Sequence, residues 1–229
     1  ALDTGNTAWM MVSTVLVLFM TIPALALFYG GMVRKQNILA TLMQSFSITV
    51  LCTVIWAVVG YSLAFGNGGA YIGDFSKILL VGLDENMGKG FVLGATPAGQ
   101  SDITGAFGMS IPEVVFMMFQ MTFAIITPAL IIGAVADRIK FSSLLIFILL
   151  WSLLVYAPVA HWVWQPSGFL FAKGVLDFAG GSVVHINSGI AALVACLMLG
   201  RRQGYGTEQF IPHNLVLTMI GASMLWVGW

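Results

Sequence analysis

The stretch DFAGGSVVHINSGIAALVACLMLG, residues 177–200, decides the fold. After Asp177 it carries no Lys, Arg, Asp or Glu, and a helix that crosses a membrane needs roughly 20 mostly apolar residues. The stretch therefore predicts a membrane-spanning helix. It also contains His185 in its interior, and an ionisable side chain at that depth usually marks a functional site.

The composition extends this prediction to the whole chain. Hydrophobic residues make up 59% and charged residues 8%, against about 25% charged residues in soluble domains. We therefore predict an all-α fold, a polytopic transmembrane helix bundle. Nine basic and nine acidic residues cancel, which excludes the basic surface that nucleic-acid binding requires. Cys52 and Cys196 lack metal-ligand or CxxC spacing, so we expect no metal and no cofactor.

Six apolar runs predict the spans of a single membrane domain over residues 1–229. The last run is still apolar at Trp229, so we interpret it as a truncated sixth span. The long connection at 66–110 is rich in Gly and acidic residues and is expected to be an exterior loop. The predicted spans are 7–31, 38–65, 114–136, 141–163, 178–200 and 214–229.

The positions of the basic residues predict the orientation. They follow spans 1, 3 and 5, at Arg34 and Lys35, at Arg138 and Lys140, and at Arg201 and Arg202. The positive-inside rule places these connections in the cytoplasm and the N-terminus outside, in a multi-pass protein of the plasma membrane. The first residues lack the basic region of a signal peptide, which we interpret as a leader already removed. Five complete spans suit one half of an inverted repeat.

The helical wheel places His185 over a seam of small residues that ends at Gly200, with Val183 and Leu197 on the opposite side. We therefore expect His185 to face protein or a cavity. Counted from Arg201, it lies about 24 Å from the cytoplasmic end, within the hydrocarbon region. Two interpretations remain: a neutral histidine hydrogen-bonded between helices, or part of a transport pathway.

The remaining polar and aromatic residues also allow two interpretations. Asp177 can cap span 5 or attract a cation, and these roles are compatible. Trp164 is either an ordinary interfacial tryptophan or, with the apolar face of span 3, the wall of a vestibule that binds a small cation. His161 and His213 are interpreted as polar interface or loop residues, since neither has metal-ligand spacing.

Four motifs together resemble the ammonium transporter family, Amt or Mep, which is related to the Rh glycoproteins. They are DFAGGSVVHINSG at 177–189, IPALALFYGGMVRKQN at 22–37, FQMTFAIITPALIIGAVADRIKF at 119–141 and GYGTEQFIPHN at 204–214. The resemblance implies the first five-helix half of an inverted-repeat channel plus the start of a sixth helix. It also implies a homotrimer in which each protomer has its own pore.

The resemblance further implies a role for eight residues. An outer site that recruits the cation matches Trp164, Phe119, Phe123 and Asp177, and positions that line the pore match His185, Phe28, Ile126 and Leu130. Trp164 favours the ammonium transporters over the Rh proteins, which generally lack the aromatic cage.

The implied activity is transport of ammonium or ammonia, with methylammonium as a further substrate. Ammonium is recruited, loses its proton near the phenylalanines and crosses as ammonia past His185. The sequence does not choose between a gas channel and a proton-coupled carrier. A PII-type regulatory protein that docks on the cytoplasmic face is the implied protein partner.

Two other functions compete with transport. A sensor could bind ammonium in the same cavity and signal without large flux. A membrane enzyme could use Asp177 and His185 as acid and base, but HExxH and GxSxG motifs are missing and GLDENMGK at 82–89 departs from the P-loop pattern. We therefore predict a transporter that is not an enzyme.

Overall fold

The computed structural model describes residues 2–84, 87–94 and 107–229. Within these residues it confirms the predicted all-α bundle, with five helices long and apolar enough to cross a membrane. They are span 1 (Thr4–Met32), span 2 (Lys35–Phe65), span 3 (Glu113–Val135), span 4 (Phe141–Ala172) and span 5 (Gly181–Leu199). A shorter apolar helix follows, the sixth helix (Leu215–Gly228).

Side chains next to the helices fix several of these boundaries. The Asp3 carboxylate accepts a hydrogen bond from Asn6 N at 2.7 Å, and the Asn214 side chain accepts one from Leu217 N at 3.2 Å. Each satisfies a backbone donor that the first helical turn leaves without a partner. Span 5 ends at Gly200, where φ is 72° and an α-helix cannot continue.

Four spans contain a π-helical segment: Met20–Leu25, Trp56–Gly60, Ser152–Tyr156 and Gly181–Ile186. Two of them adjoin a proline. Pro23 lies within the first segment, and Pro158 lies in the helical turn after the third. Proline has no N–H and its ring clashes with the carbonyl four residues earlier, so the regular α-helical pattern is disrupted there.

Span 3 is the centre of the bundle. It packs against spans 1, 2 and 5, and 67% of its most apolar stretch is buried. Span 5 is peripheral, with 17% of its corresponding stretch buried. Span 2 also packs against span 4. The core therefore lies around span 3, and span 5 leaves most of its surface uncovered by this chain.

Glycines let span 1 and the sixth helix approach until their backbones touch. A Cβ at Gly221 would lie 2.6 Å from the carbonyl oxygen of Ala24 and would also overlap Phe28 N. A Cβ at Gly31 would lie 2.6 Å from the carbonyl oxygen of Asn214. Small residues that allow such close approach are typical of helix contacts in membranes.

The connections after spans 1, 3 and 5 meet at one end of the bundle, where arginines join them. Arg34 approaches Asp137 at 3.7 Å and Glu208 at 3.3 Å, which joins the connections after spans 1, 3 and 5. Arg138 donates from Nη1 to the Gly200 carbonyl at 2.6 Å and so pairs a carbonyl at the end of span 5.

The predicted exterior loop at 66–110 falls partly outside the described residues, because 85–86 and 95–106 are not among them. The described part has a 3₁₀ turn at Ile78–Leu80 and a two-stranded antiparallel ladder, Val92–Leu93 with Phe107–Gly108. Lys77 of this connection forms an ion pair with Glu113 at the start of span 3.

Candidate functional site

Three aromatic side chains form a row in the half of the bundle where span 3 begins. Phe119 and Phe123 lie one helical turn apart on span 3, with ring centroids 4.9 Å apart and planes at 83°. Trp164, from span 4, continues the row at 6.1 Å and 68° from Phe123. These edge-to-face arrangements are favourable between aromatic rings, and all three residues are partly exposed. We refer to these three residues as the aromatic row.

Asp177 connects the aromatic row to the start of span 5. Its backbone carbonyl accepts a hydrogen bond from Trp164 Nε1 at 3.3 Å, and its carboxylate accepts one from Val183 N at 2.9 Å. Val183 is the third residue of span 5, so the carboxylate caps the first turn of that helix. The capping interpretation of Asp177 is thus supported by its contacts.

His185 lies two residues further along span 5, inside the π-helical segment Gly181–Ile186. Its side chain is exposed in this chain, and its ring packs against that of Trp229, with centroids 5.0 Å apart. Nothing in the sequence indicates Trp229 as a site residue. It follows the apolar helix Leu215–Gly228, and no spacing or charge pattern distinguishes it from the neighbouring Trp226.

The predicted orientation of span 5 needs two corrections. His185 was expected to face protein or a cavity, but its side chain is exposed in this chain apart from its contact with Trp229, because span 5 is peripheral among the described helices.

The second correction concerns Val183. Ser188 of the small-residue seam is 4% exposed, and Ile190 and Leu197 on the opposite side are 57% and 72% exposed, as the wheel predicts. Val183 was predicted to lie with the exposed residues but is fully buried. The reason is the π-helical segment, in which each residue turns the helix by less than the 100° that the wheel assumed.

Two of the three apolar residues expected at the inner part of the pore, Phe28 and Leu130, are connected through Tyr29. Tyr29 packs its ring 5.5 Å from Phe28 and donates a hydrogen bond to the Leu130 carbonyl at 2.8 Å, so it connects spans 1 and 3 at this level. Ile126 is 5% exposed and belongs to the core of this chain. Phe28 and Leu130 remain partly exposed.

His161 was expected to be a polar interface or loop residue, and its burial contradicts this. It is fully buried, one turn before Trp164 on span 4. Its Nδ1 lies 2.9 Å from the Ala64 carbonyl oxygen and its Nε2 lies 2.8 Å from the Gly69 carbonyl oxygen. The helical position of His161 gave no sign of this, because both partners lie nearly a hundred residues away in sequence.

The chemistry available at this site is weak cation binding. Aromatic ring faces attract a small cation by about 0.5 to 2 kcal/mol per contact. Among the described residues, no group of three or more His, Cys, Asp or Glu side chains could hold a metal ion. Such rings hold a small cation only weakly, in contrast to a set of metal ligands.

Comparison with protein families places the whole chain in one group. The model of the Ammonium Transporter Family matches residues 8–229. An ammonium transporter of Aquifex aeolicus is 48% identical over 229 residues, which is 100% of this chain and 49% of that relative. An ammonium transporter of Bacillus subtilis is 46% identical, and the match covers 98% of this chain and 50% of that relative. The chain thus spans about half the length of the curated relatives it matches.

Solved structures agree with this result. Mep2 of Candida albicans superposes with a TM-score of 0.81 at 31% identity, over 100% of this chain and 47% of Mep2. A Sensor Amt Protein superposes with a TM-score of 0.82 over 98% of this chain and 52% of its own length. At 24% identity this second likeness bears on the fold alone. The helices described above have the arrangement found in about half of an Amt or Mep protein.

Proposed function

Because the chain belongs to the ammonium transporter family, we propose that the protein moves ammonium, or the ammonia formed from it, across a membrane. The observation that supports this most directly is the aromatic row beside Asp177, next to the start of the helix that carries His185. The row offers ring faces to a cation, and the histidine lies beyond it on an apolar helix.

In this proposal Trp164, Phe123, Phe119 and Asp177 form the recruitment site. Each ring contributes a weak attraction to a small cation, and Asp177 adds negative charge nearby. Its carboxylate is also bound to Val183 N, so it acts at a fixed distance and holds the first turn of span 5 in place.

Ammonium gives up its proton, either to water on the outer side or to His185 as a relay, before the substrate enters the apolar part of the path. A charged ion in hydrocarbon costs far more than a neutral amine, because few polar groups replace its hydration. Ammonia then passes His185, whose ring accepts or donates hydrogen bonds that aliphatic side chains cannot make. Phe28 and Leu130, which are partly exposed, line the apolar path on the inner side, with the buried Ile126 one turn before Leu130 on span 3.

Membership of the family and the positions of the basic residues also support a proposal for how the protein is arranged in the cell. The chain forms one domain in the plasma membrane, with the N-terminus and the connection at 66–110 outside. The protein assembles as a homotrimer, and a PII-type regulatory protein binds the face that carries the basic connections. Transport is preferred to sensing, because the relatives that are 46–48% identical are named transporters, whereas the likeness to the Sensor Amt Protein concerns the fold.

The recruitment site is tested by the change Trp164→Leu in the full-length protein. We expect a higher half-saturation concentration for methylammonium uptake with little change in the maximal rate. A loss of about 1 kcal/mol corresponds to roughly a fivefold shift. The control is Trp9→Leu, which removes an exposed indole of span 1. An unchanged half-saturation concentration for Trp164→Leu contradicts the recruitment role.

The conduction role is tested by His185→Ala, with His213→Ala as the matched control. We expect His185→Ala to alter the uptake rate or the preference between ammonium and methylammonium, because no aliphatic group replaces the lost hydrogen bonds. His213→Ala should leave both unchanged. Equal flux and selectivity in the His185 variant and the unmodified protein would remove this histidine from the mechanism.

A further inference from the structure

Arg138, just after the end of span 3, contacts the ends of two helices at once. Its Nη2 donates to the Ala134 carbonyl of span 3 and lies 3.2 Å from Cys196 Sγ of span 5. Its Nη1 donates to the Gly200 carbonyl at 2.6 Å and lies 3.5 Å from the Cys196 carbonyl oxygen. We refer to these four contacts as the Arg138 tie, because they join the last turn of span 3 to the last turn of span 5.

The tie supplies what the carbonyl ends of two helices lack. The last four carbonyl groups of an α-helix have no partner within the helix, and this end carries a partial negative charge. Span 3 ends at Val135 and span 5 at Leu199. The carbonyls of Ala134 and Cys196 therefore belong to the last turns of the two helices. A guanidinium suits both, because its two terminal nitrogens donate in fixed directions from one planar, charged group.

The positive charge of Arg138 is balanced by these helix ends and not by an acidic side chain. Among the residues that the structure describes, Arg138 forms no ion pair, and the carboxylate of the adjacent Asp137 faces Arg34 at 3.7 Å. The Nε of Arg138 is buried and has no hydrogen-bond partner within the same residues. The tie therefore depends on the two terminal nitrogens.

The turn before Arg138 brings its side chain back to the helices. Asp137 has a φ of 64°, in the left-handed region that aspartate adopts more readily than most residues. Arg138 N donates to the Val135 carbonyl at 3.1 Å, which closes the turn. Because Arg34 approaches Asp137, the connection after span 1 also helps to fix this turn.

Apolar contacts hold span 5 weakly at the end where the tie lies. Within this chain span 5 packs mainly against span 3, and against span 4 near its start. Leu197 and Met198 in its last turn are 72% and 83% exposed, so they bury little apolar surface against the described helices. At its other end the Asp177 carboxylate caps the helix. Span 5 is thus held by polar contacts at both ends, with His185 between them.

We propose that Arg138 is a positioning residue that, through the fork of its guanidinium, fixes the end of span 5 against span 3 and so holds His185 in line with the apolar path. The part that concerns conduction rests on the proposed function. Arg138 acts through the helix, because Gly200 lies about 22 Å from His185 along the helix axis. Leu130 of the apolar path lies on span 3, so release of the tie changes the placement of His185 relative to that path.

The tie itself is tested by hydrogen–deuterium exchange of the full-length protein in lipid nanodiscs, with the change Arg138→Met. Methionine is also unbranched and removes all four contacts. We expect the amides of residues 196–200 to exchange roughly tenfold faster, because the last turn frays, and those of 181–186 to exchange as before. Lys140→Met removes an exposed charge from the same connection and should change neither segment. Unchanged exchange at 196–200 in Arg138→Met overturns the proposal.

The positioning role is tested by methylammonium uptake, measured per amount of protein in the membrane. We expect Arg138→Met to lower the maximal rate severalfold and to leave the half-saturation concentration unchanged, because Asp177 and Trp164 meet at the other end of span 5. In a protein that already carries His185→Ala, the same change should lower the rate less than it does alone. An unchanged maximal rate, or an equal proportional loss with and without His185, overturns the proposal.

A second variant and a separate outcome distinguish the possible failures. Should Arg138→Met fail to reach the membrane, Arg138→Lys keeps the charge but replaces two terminal nitrogens by one, so both effects should be smaller and in the same direction. An Arg138→Lys protein that behaves like the unmodified one overturns the proposal. If His185→Ala alone leaves flux and selectivity unchanged, the conduction role of His185 fails, and the exchange result then decides by itself whether Arg138 fixes the end of span 5.

Discussion

Gly180 is the residue on which the start of span 5 depends. Its φ is 77°, in the left-handed region that glycine adopts without steric cost, and a Cβ there would lie 2.8 Å from Val184 Cγ2. Its neighbour Gly181 has ordinary helical geometry, and a Cβ there would make a normal contact with the Asp177 carboxylate at 3.5 Å. The two adjacent glycines are therefore not equivalent.

We predict that Gly180→Ala destabilises the protein and Gly181→Ala does not. The left-handed conformation costs an L-residue about 1–2 kcal/mol, and the contact with Val184 adds to this cost. The strain falls between Asp177 and His185, so we also expect slower methylammonium uptake. Thermal unfolding in detergent and uptake in cells measure the two effects. Equal behaviour of the two variants would show that the left-handed turn has no such role.

The sequence was informative for residues whose role depends on local spacing. Phe119 and Phe123 lie four apart on one helix, and this alone places their rings together. A contact between distant segments has no such signature. The carbonyls that bind His161 belong to residues 64 and 69, and a backbone acceptor leaves no trace in the identity of its residue. For this reason His161 was interpreted as an interface residue although it is buried.

At the scale of elements, the helices were predictable because apolar runs of this length have few alternatives in a membrane. The π-helical segments were not. Those near Pro23 and Pro158 have a visible cause in the sequence, but the segment Gly181–Ile186 lacks a proline. The wheel for span 5 assumed a uniform α-helix and therefore placed Val183 on the wrong side.

The close contact between span 1 and the sixth helix predicts that an added methyl group there destabilises the protein. Gly221→Ala should lower the unfolding temperature, because the added methyl meets backbone atoms of Ala24 and Phe28 that cannot move aside. Gly189→Ala is the matched control. A Cβ at Gly189 on span 5 meets nothing within 4 Å, and alanine is a better helix former than glycine.

The measurement is the midpoint of thermal unfolding of both purified variants in one detergent. Gly221→Ala should unfold at a lower temperature than the unmodified protein, and Gly189→Ala at the same or a higher one. A Gly221→Ala protein as stable as the unmodified one would show that the two helices can separate without loss.

At the scale of the whole molecule, the charges are divided between the two ends of the bundle. Arg34 joins Asp137 and Glu208 at one end, and Lys77 pairs with Glu113 at the other. Each ion pair lies at a helix end, where a charged group remains close to water. The positions of the basic residues along the sequence were sufficient to predict this division, because successive connections between spans lie on opposite sides of the bundle.

We predict that Lys173→Cys is labelled from outside intact cells and Lys35→Cys is not. Both lysines are exposed, and they lie in connections on opposite sides of the predicted membrane. The test uses a membrane-impermeant maleimide and a protein without its native cysteines. Lys35→Cys should become reactive once the cells are permeabilised. The reverse labelling pattern would invert the proposed orientation.

The glycine contact between span 1 and the sixth helix also bears on the kinetics of transport. Because the backbones touch at Gly31 and Gly221, sliding one helix along the other would bring residues with side chains into these close contacts. A cycle that exposes a site to the two sides in turn by rocking one helix past the other would have to break this contact at every turnover. If the protein transports as proposed, we expect this helix pair to stay together, so that the substrate passes on its side by side-chain rotation rather than by separation of the two helices.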